Sequence, residues 1–297
     1  MLLIDPITSP YRKNKRYVAL FLVCICGLVY PSVALSAIWT ITYPKPPVEQ
    51  SIHAQYVVKL LDLALQKTGV RYELIASDDV ILQGRALSLL ENNRTVNVVW
   101  SMTDEQREAD FKAIRIPIYK GLIGWRVLLV HPNKLSQLES TPLRDNYAVQ
   151  GMDWPDTKIL QSNGFNVVSA TNYDEAFAIM HRQQADIFPR SIIEALDELQ
   201  QPNLAKSLLI EPNYVLQYPS ATYFFVNKRD GILEKLLAKG LNIALQDGSF
   251  DALFNQTYAP IIAQLGLDKR ELISLTNPLL PVNTPTENSA LWYQIIR

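Results

Sequence analysis

The chain has 297 residues, of which 48% are hydrophobic and 19% are charged, with a formal net charge of −1. This near-neutral balance does not favour nucleic-acid binding or attachment to a membrane surface, because both depend on clustered basic residues. The length suits one large or two medium domains with a well-formed core.

The N-terminus has the pattern of an export signal. The basic segment 12–16 precedes an uncharged apolar run at 18–30, and small residues follow it. This order predicts a signal peptide at 1–37, cleaved between Ala34 and Ile38, and a periplasmic protein. A retained membrane anchor is the alternative, but the run is shorter than the roughly 20 residues of a bilayer span.

Both cysteines, Cys24 and Cys26, fall within the predicted signal. The mature chain is therefore predicted to lack disulfides, a thiol catalyst and a cysteine metal site. Lipid attachment is disfavoured because Val23 and Ile25, rather than small residues, precede the cysteines. Without the four basic residues and the single Asp of the signal, 24 basic and 28 acidic residues remain, a formal charge of −4.

The first half of the mature chain alternates short strand patterns with amphipathic helix patterns. Such an order predicts a parallel sheet with helices on both faces. The predicted elements are a strand at 38–43, a helix at 51–68, a strand at 71–75, a helix at 83–93 and a strand at 96–100.

Residues 97–130 carry the most informative pattern. A strand ends at Ser101, a short helix capped by Thr103 or Asp104 follows, and a long apolar strand begins after Gly124. In open α/β sheets, ligands bind at the edge where the strands end. Arg107 follows Thr103 after three intervening residues.

With the turn Ile116-Pro117-Ile118-Tyr119, this stretch resembles the amino-acid type of periplasmic solute-binding proteins, family 3, with the type II periplasmic-binding fold. That family has Thr-x-x-Arg after a strand, then a Pro-Tyr turn and a long strand. Here one extra residue separates Thr103 from Arg107.

The pattern restarts after Val130, and the rest of the chain follows the family's order. Asp153 is a candidate N-cap for a helix with Pro155 in its first turn. The predicted strands lie at 147–150, 165–169, 186–188, 208–210 and 222–226, and the predicted helices at 155–163, 173–184, 191–199, 232–246 and 248–255.

The resemblance implies an α/β fold with two lobes, each a central sheet flanked by helices. The first lobe would comprise 38–129 and 223–276, and the second lobe 130–222. The chain would cross between the lobes near 128–130 and 222–225. The tail at 277–297 is expected to be an extended strap, with Trp292 docked on the body.

In this family a cleft between the lobes holds the solute, and the resemblance implies three contacts. Arg107 would clamp a carboxylate, since a guanidinium offers two charge-assisted hydrogen bonds. The turn Gly151–Asp153 resembles a loop that in the family holds an anion through backbone N–H groups at a helix start, although the negative charge of Asp153 disfavours an anion here. Arg190 stands near the position where the family has an acidic residue that pairs with the ammonium group of the ligand. A cation cannot hold an ammonium group, so a standard α-amino acid is disfavoured as the ligand. The structural alternatives are Arg107 pairing with Asp104 or Glu108, Asp153 as a plain N-cap, and Arg190 pairing with Glu194.

Other side chains at predicted strand ends are also candidates for the cleft. Arg115 is flanked by apolar residues, so it should face either the cleft or an acid such as Asp110. Aromatic rings in such places stack on ligands or simply pack. The further candidates are Tyr43, Trp100, Ser101, Thr103 and Trp154, with Trp125 and Tyr218 as additional aromatic residues.

These features predict a binding protein without catalytic activity. It would capture a small polar or anionic solute for ABC-type uptake or for sensing, as a monomer, with a permease or sensor as partner. The three histidines are dispersed, so we expect no metal and no cofactor. A periplasmic enzyme on the same fold, of the dehydratase kind, is the alternative.

Overall fold

Two groups of strands, joined by two crossing segments, organise the chain. A computed structural model describes residues 38–46, 51–92, 95–205 and 207–295. The predicted signal peptide lies outside these residues. No helix in the described part of the chain is both long and apolar enough to span a membrane.

The first β-α-β-α-β unit forms as predicted, with shifts of a few residues at its boundaries. Ser51 caps the first helix, its Oγ accepting from Ala54 N at 3.1 Å, and Gly69 ends it at φ 72°, a conformation that favours glycine. The elements are β1 (Trp39–Lys45), α1 (Ile52–Thr68), β2 (Tyr72–Val80), α2 (Gln83–Glu91) and β3 (Val98–Met102).

The first group of strands forms a two-stranded and a three-stranded sheet instead of one parallel sheet, which corrects the sequence prediction. β1 and β2 pair in parallel. β3 pairs instead with β11 (Thr222–Asn227), a strand that returns from much later in the chain, and β11 also pairs with β4 (Phe111–Ile114). Both pairings are antiparallel. Local periodicity cannot show such a pairing, because its partner is more than 100 residues away.

A larger, seven-stranded sheet holds most of the remaining strands. Its order is β12-β10-β5-β8-β6-β7, with β9 also pairing with β5. β6 pairs in parallel with β7 and β8, whereas β5 is antiparallel to β8 and β10. The strands are β5 (Trp125–Val130), β6 (Tyr147–Gly151), β7 (Asn166–Ala170), β8 (Ile187–Ser191), β9 (Leu209–Ile210), β10 (Tyr214–Gln217) and β12 (Glu271–Ser274).

The remaining helices flank one or the other group of strands. They are α3 (Glu105–Asp110), α4 (Leu135–Ser140), α5 (Pro155–Ser162), α6 (Tyr173–His181), α7 (Ala195–Gln200), α8 (Pro202–Ala205), α9 (Gly231–Gln246) and α10 (Ser249–Leu265). α10 is about twice as long as predicted, because Phe250, Phe254 and Tyr258, four residues apart, keep one buried face.

Two crossing segments, 115–124 and 218–221, connect the two groups of strands. They run side by side: Ile118 N donates to Thr222 O at 2.9 Å, and Tyr218 N donates to Gly124 O at 3.1 Å. A Cβ on Gly124 would lie 2.1 Å from Tyr218 O, so only glycine permits this approach. Residues 128–130, where the sequence predicted the first crossing, all lie within β5 of the larger sheet. The chain therefore passes between the two groups of strands before this segment.

The C-terminal tail contacts both crossing segments. Asn277 Nδ2 donates to Pro219 O at 2.9 Å, and Tyr293 N donates to Lys120 O at 2.7 Å. The Trp292 ring packs on Gly121, where a Cβ would lie 2.5 Å from the nearest ring atom. The tail therefore lies across the connection between the two groups of strands.

Candidate functional site

The predicted aromatic residues near β1 and β3 contact each other. The ring centroids of Tyr43 on β1 and Trp100 on β3 lie 6.2 Å apart. Ser101 is buried, and its Oγ accepts from Gln83 Nε2 at 2.6 Å. A cavity of about 230 Å³ opens beside Tyr43, at the start of α1.

Thr103 and Arg115 share one acidic partner. Thr103 Oγ1 donates to Glu108 Oε1 at 2.7 Å. The Nε and Nη2 of Arg115 donate to Glu108 Oε2 at 2.8 and 2.6 Å, and the Arg115 side chain is 45% exposed. The sequence left two possibilities for Arg115, a position in the cleft or a pair with an acid such as Asp110. The structure shows a pair with an acid, which is Glu108 rather than Asp110. Its role toward a ligand stays a prediction.

Arg107 lies within the turn that begins α3. Its Nη1 donates to Asp104 Oδ2 at 2.6 Å and to Met102 O at 2.9 Å. Asp104 also caps the helix, accepting from Arg107 N at 2.7 Å. The pairing with Asp104 is the structural alternative left open by the sequence, and the carboxylate-clamp role stays a prediction.

Arg190 lies on a strand, not at the start of a helix. The sequence predicted that the strand would end before Pro189, but β8 continues to Ser191. Proline has no N–H to donate to a neighbouring strand. Its carbonyl oxygen still accepts a hydrogen bond, from Gln150 Nε2 at 2.9 Å. The helix expected at 191–199 begins only at Ala195.

The Arg190 guanidinium is buried among aromatic rings and carboxylates. It lies 5.1 Å from the ring centroids of Trp154 and Phe188. Its Nε donates to both oxygens of Glu198 at 3.0 and 2.9 Å, and its Nη2 donates to Glu198 Oε1 at 2.5 Å. Burial opposes the charged form, but Glu194 and Glu198 outweigh it and raise the pKa of Arg190. The predicted residues Trp154 and Arg190 are thus brought together.

Asp153 is exposed beside this cluster. α5 begins at Pro155, as the sequence indicated, but the N-cap position belongs to Trp154, which makes no side-chain cap bond. The N-cap interpretation of Asp153 was therefore wrong. Its contact with a ligand stays a prediction.

Arg126 is the main site residue that sequence reasoning missed. Its side chain is 4% exposed, and its Nη2 lies 2.8 Å from Asp156 Oδ1. Its Nε donates to Tyr218 Oη at 2.7 Å, and Tyr218 Oη donates to Asp156. Burial opposes the charged form, but Asp156 outweighs it and raises the pKa of Arg126. The available signal was one arginine in the apolar strand Trp125–Val130, the same signal that singled out Arg115.

Glu194 connects the two buried arginines. Its Oε2 lies 3.2 Å from Arg190 Nη2 and 3.9 Å from Arg126 Nη1. The Glu194 side chain is 38% exposed, whereas the two arginine side chains are 4% and 8% exposed. Each arginine also has its own buried acid, Asp156 or Glu198. We call these five residues the arginine cluster.

Polar atoms without partners lie beside the arginine cluster. Ser191 is opposite Arg126 in the antiparallel β5–β8 pair, so both side chains are on one face of the sheet. Ser191 Oγ and Gln150 Oε1 are buried and have no hydrogen-bond partner among the described residues. Each of these two atoms therefore has hydrogen-bonding capacity for a further partner.

His53 of α1 and Tyr119 of the first crossing segment lie near Glu194 of the arginine cluster. His53, in α1, has its Nε2 3.9 Å from Asp197 Oδ2 in α7 and its Nδ1 3.4 Å from Tyr258 Oη. Burial lowers the pKa of His53, although Asp197 and Glu194 oppose this. Burial and the charge of Glu194 raise the pKa of Tyr119. The cluster therefore lies where the two groups of strands meet.

The arrangement suits recognition of a polar or charged group. Two guanidiniums supply fork-shaped donors, and their carboxylates supply acceptors. The cavity beside Tyr43 shares no lining residue with the arginine cluster, so cavity volume and charge indicate different places. Among the described residues, no group of three His, Cys, Asp or Glu side chains could hold a metal ion.

Comparison with known proteins identifies the fold. No sequence-family profile matches the chain, and no curated protein matches it. A probable amino-acid ABC transporter extracellular-binding protein, YtmK from Bacillus subtilis, is 16% identical with a TM-score of 0.56, over 74% of this chain and 98% of that chain. The periplasmic VFT2 domain of BvgS from Bordetella pertussis is 16% identical with a TM-score of 0.54, over 74% and 93%.

A third solved structure is an amino-acid ABC transporter substrate-binding protein from Streptococcus pneumoniae bound to L-arginine. It is 12% identical with a TM-score of 0.50, over 74% of this chain and 94% of that chain. These likenesses show that the chain has the two-lobed, type II periplasmic-binding fold, with sheets flanked by helices. The resemblance predicted from Thr103 to Tyr119 is confirmed at the level of the fold.

Proposed function

We propose that this protein is a periplasmic solute-binding protein that captures a small polar solute between its two lobes. The observation that carries the proposal is the position of the arginine cluster. Its buried charges lie around the end of β8, and His53 of α1 and Tyr119 of the first crossing segment both interact with the charge of Glu194. Ligands of open α/β sheets bind at such strand ends.

The sheet membership supports a revised division into lobes. One lobe would contain β1 to β4 and β11, and the other would contain β5 to β10 and β12. The crossing segments 115–124 and 218–221 would then be the hinge, in place of the expected 128–130 and 222–225. Two paired segments of this kind allow one lobe to rotate toward the other around a ligand.

The test is a thermal-shift screen over amino acids, dicarboxylates, peptides and sugars. A solute that binds only the folded protein raises the melting temperature with its concentration. We expect at least one class to do so, with small-angle scattering showing a smaller radius of gyration in the same solution. If no class raises the melting temperature, the proposal is wrong.

The sequence-predicted residues can be sorted by the same screen. Arg107→Ala and Arg190→Ala should each abolish the shift if that arginine holds the ligand, and an unchanged shift rejects its assignment. Tyr43, Trp100, Ser101, Thr103, Arg115, Asp153 and Trp154 remain proposed contacts to be tested in the same way.

Uptake and sensing are separable in cells. Two of the similar structures are described as ABC transporter binding proteins, and one is a periplasmic domain of BvgS. Deletion of the gene should abolish uptake of the identified solute if a permease is the partner. Retained uptake with loss of the transcriptional response would favour a sensor.

We further propose that the protein binds without catalysis, as a monomer. The alternative, a dehydratase-like periplasmic enzyme, predicts chemical change of a bound solute. NMR spectra of each stabilising solute, recorded over hours with the protein, should stay constant. Turnover of any solute would favour the enzyme, and sedimentation velocity reports the oligomeric state.

A further inference from the structure

We propose that Arg126 and Arg190 form a carboxylate clamp that the protein's own Glu194 fills in this structure, and that the carboxylate of a bound solute replaces Glu194. This inference rests on the proposed function and adds to it the chemical class of the solute. The clamp is assembled from β5 and β8, two paired strands of the larger sheet.

The geometry of Glu194 is that of an internal ligand. One oxygen, Oε2, faces both guanidiniums, at 3.2 Å from Arg190 Nη2 and 3.9 Å from Arg126 Nη1. The first distance is a long hydrogen bond, and the second is beyond hydrogen-bond length. A carboxylate brought by a solute is not tethered to the chain, so it can approach both arginines more closely.

The charges around the clamp make Glu194 replaceable. Asp156 and Glu198 already pair with Arg126 and Arg190, at 2.8 and 2.5 Å, and both acids are buried. The two arginines and these two acids sum to zero charge without Glu194. Glu194 is the only carboxylate of the three that is substantially exposed, at 38% of its side chain. An exchange of one carboxylate for another leaves the charge of the site unchanged.

Ser191 provides a donor that Glu194 does not use. Its Oγ is fully buried, lies on the same face as Arg126 and has no partner among the residues that the structure describes. A hydroxyl left unsatisfied costs free energy that a ligand oxygen would recover. Ser191 alternates with Arg190 along β8, so its hydroxyl lies on the Arg126 side of the sheet and can add a donor to that half of the clamp.

The experiment empties the clamp and refills it with a small carboxylate. Glu194→Ala, Glu194→Gln and wild type are melted in sodium acetate, in acetamide and in sodium chloride of equal ionic strength. Glu139→Ala, an exposed acid on α4, is the matched control. We expect acetate to raise the melting temperature of Glu194→Ala by about 3–6 °C at ten times its dissociation constant. Acetamide, wild type and Glu139→Ala should show no such rise over chloride.

The outcomes separate this inference from the proposed function. Equal effects of acetate on wild type, Glu139→Ala and Glu194→Ala, or none on Glu194→Ala and Glu194→Gln, overturn the clamp. If a solute without a carboxylate still stabilises the wild type, solute binding stands while the clamp falls. If acetate rescues Glu194→Ala but no solute class stabilises the wild type, Arg126 and Arg190 remain a carboxylate site, while the replacement of Glu194 by a solute and the proposed function both fall.

Discussion

Two pairs of arginines divide this molecule into regions with different electrostatics. Arg107 and Arg115, next to the three-stranded sheet, have side chains that are 29% and 45% exposed. Arg126 and Arg190, on the larger sheet, are 4% and 8% exposed. All four make ion pairs shorter than 3 Å with acids. The same contact therefore occurs in two different dielectric surroundings.

The difference shows why contact distance alone does not identify a site. An exposed pair contributes roughly 0–1 kcal/mol, because water screens both charges. A buried pair loses several kcal/mol of hydration per ion, which its attraction only partly offsets. A fold that needed only stability could fill these positions with apolar residues. We therefore propose that the two buried arginines are retained for recognition.

The largest expected effect comes from removing one buried charge. Arg126→Met leaves Asp156 buried without its cation, and we expect a loss of about 3–5 kcal/mol in the free energy of unfolding. Urea denaturation measures it. Arg107→Met is the matched control, with an expected loss of about 0–1 kcal/mol. Equal losses in the two variants would refute the division into two electrostatic regions.

A second prediction asks whether the buried pair Arg190–Glu198 is kept for stability. Arg190→Met alone should lose about 3–5 kcal/mol, because Glu198 is left buried and unpaired. Adding Glu198→Leu should recover most of this loss, since two apolar side chains replace the pair. The measurement is a double-mutant cycle in urea with Glu198→Leu as the fourth corner. A double variant that remains as unstable as Arg190→Met alone would show instead that the pair itself stabilises the fold.

The sequence predicted most elements but not how they pair. Periodicity located α1, and Ser51 and Gly69 marked its two ends. It could not show that β11 enters between β3 and β4, because that pairing joins residues far apart in the chain. It also misplaced the end of β8, since Pro189 usually interrupts a strand and here does not.

The candidate site was predictable only in part, for a related reason. Arg190 and Trp154 were both named from the sequence, and the structure places them 5.1 Å apart. Arg126 was missed although one charge among the apolar residues of β5 is a strong signal of a buried partner. Its partner Asp156 lies 30 residues later, so only the folded sheet brings them together.

The third prediction concerns His53, which lies where the two groups of strands meet. Because burial lowers its pKa below 6.5, the unfolded chain binds more protons than the folded one as pH falls through that value. Stability should therefore be full above pH 6.5 and decrease below it. Asp197, Glu194 and the Tyr258 hydroxyl face the ring, and the two acids oppose the shift.

Melting temperatures between pH 7.5 and 5.5 test this, with His53→Gln expected to reduce the slope. His131→Gln, whose ring contacts Asn133 in an exposed loop, is the control and should keep the wild-type slope. The opposite sign, with greater stability of the wild type at pH 5.5, would mean that the neighbouring acids dominate over burial at His53.

The smallest expected effect is at Arg115. Its guanidinium makes two hydrogen bonds to Glu108, yet the side chain is 45% exposed, so Arg115→Ala should cost about 0–1 kcal/mol. Salt distinguishes this residue from the buried pairs. Raising ionic strength from 0.1 to 1 M shortens the screening length from about 10 to 3 Å, so the cost at Arg115 should shrink while that of Arg126→Met persists. If salt leaves the loss of unfolding free energy in Arg115→Ala unchanged, Arg115 contributes to stability by packing rather than by its charge.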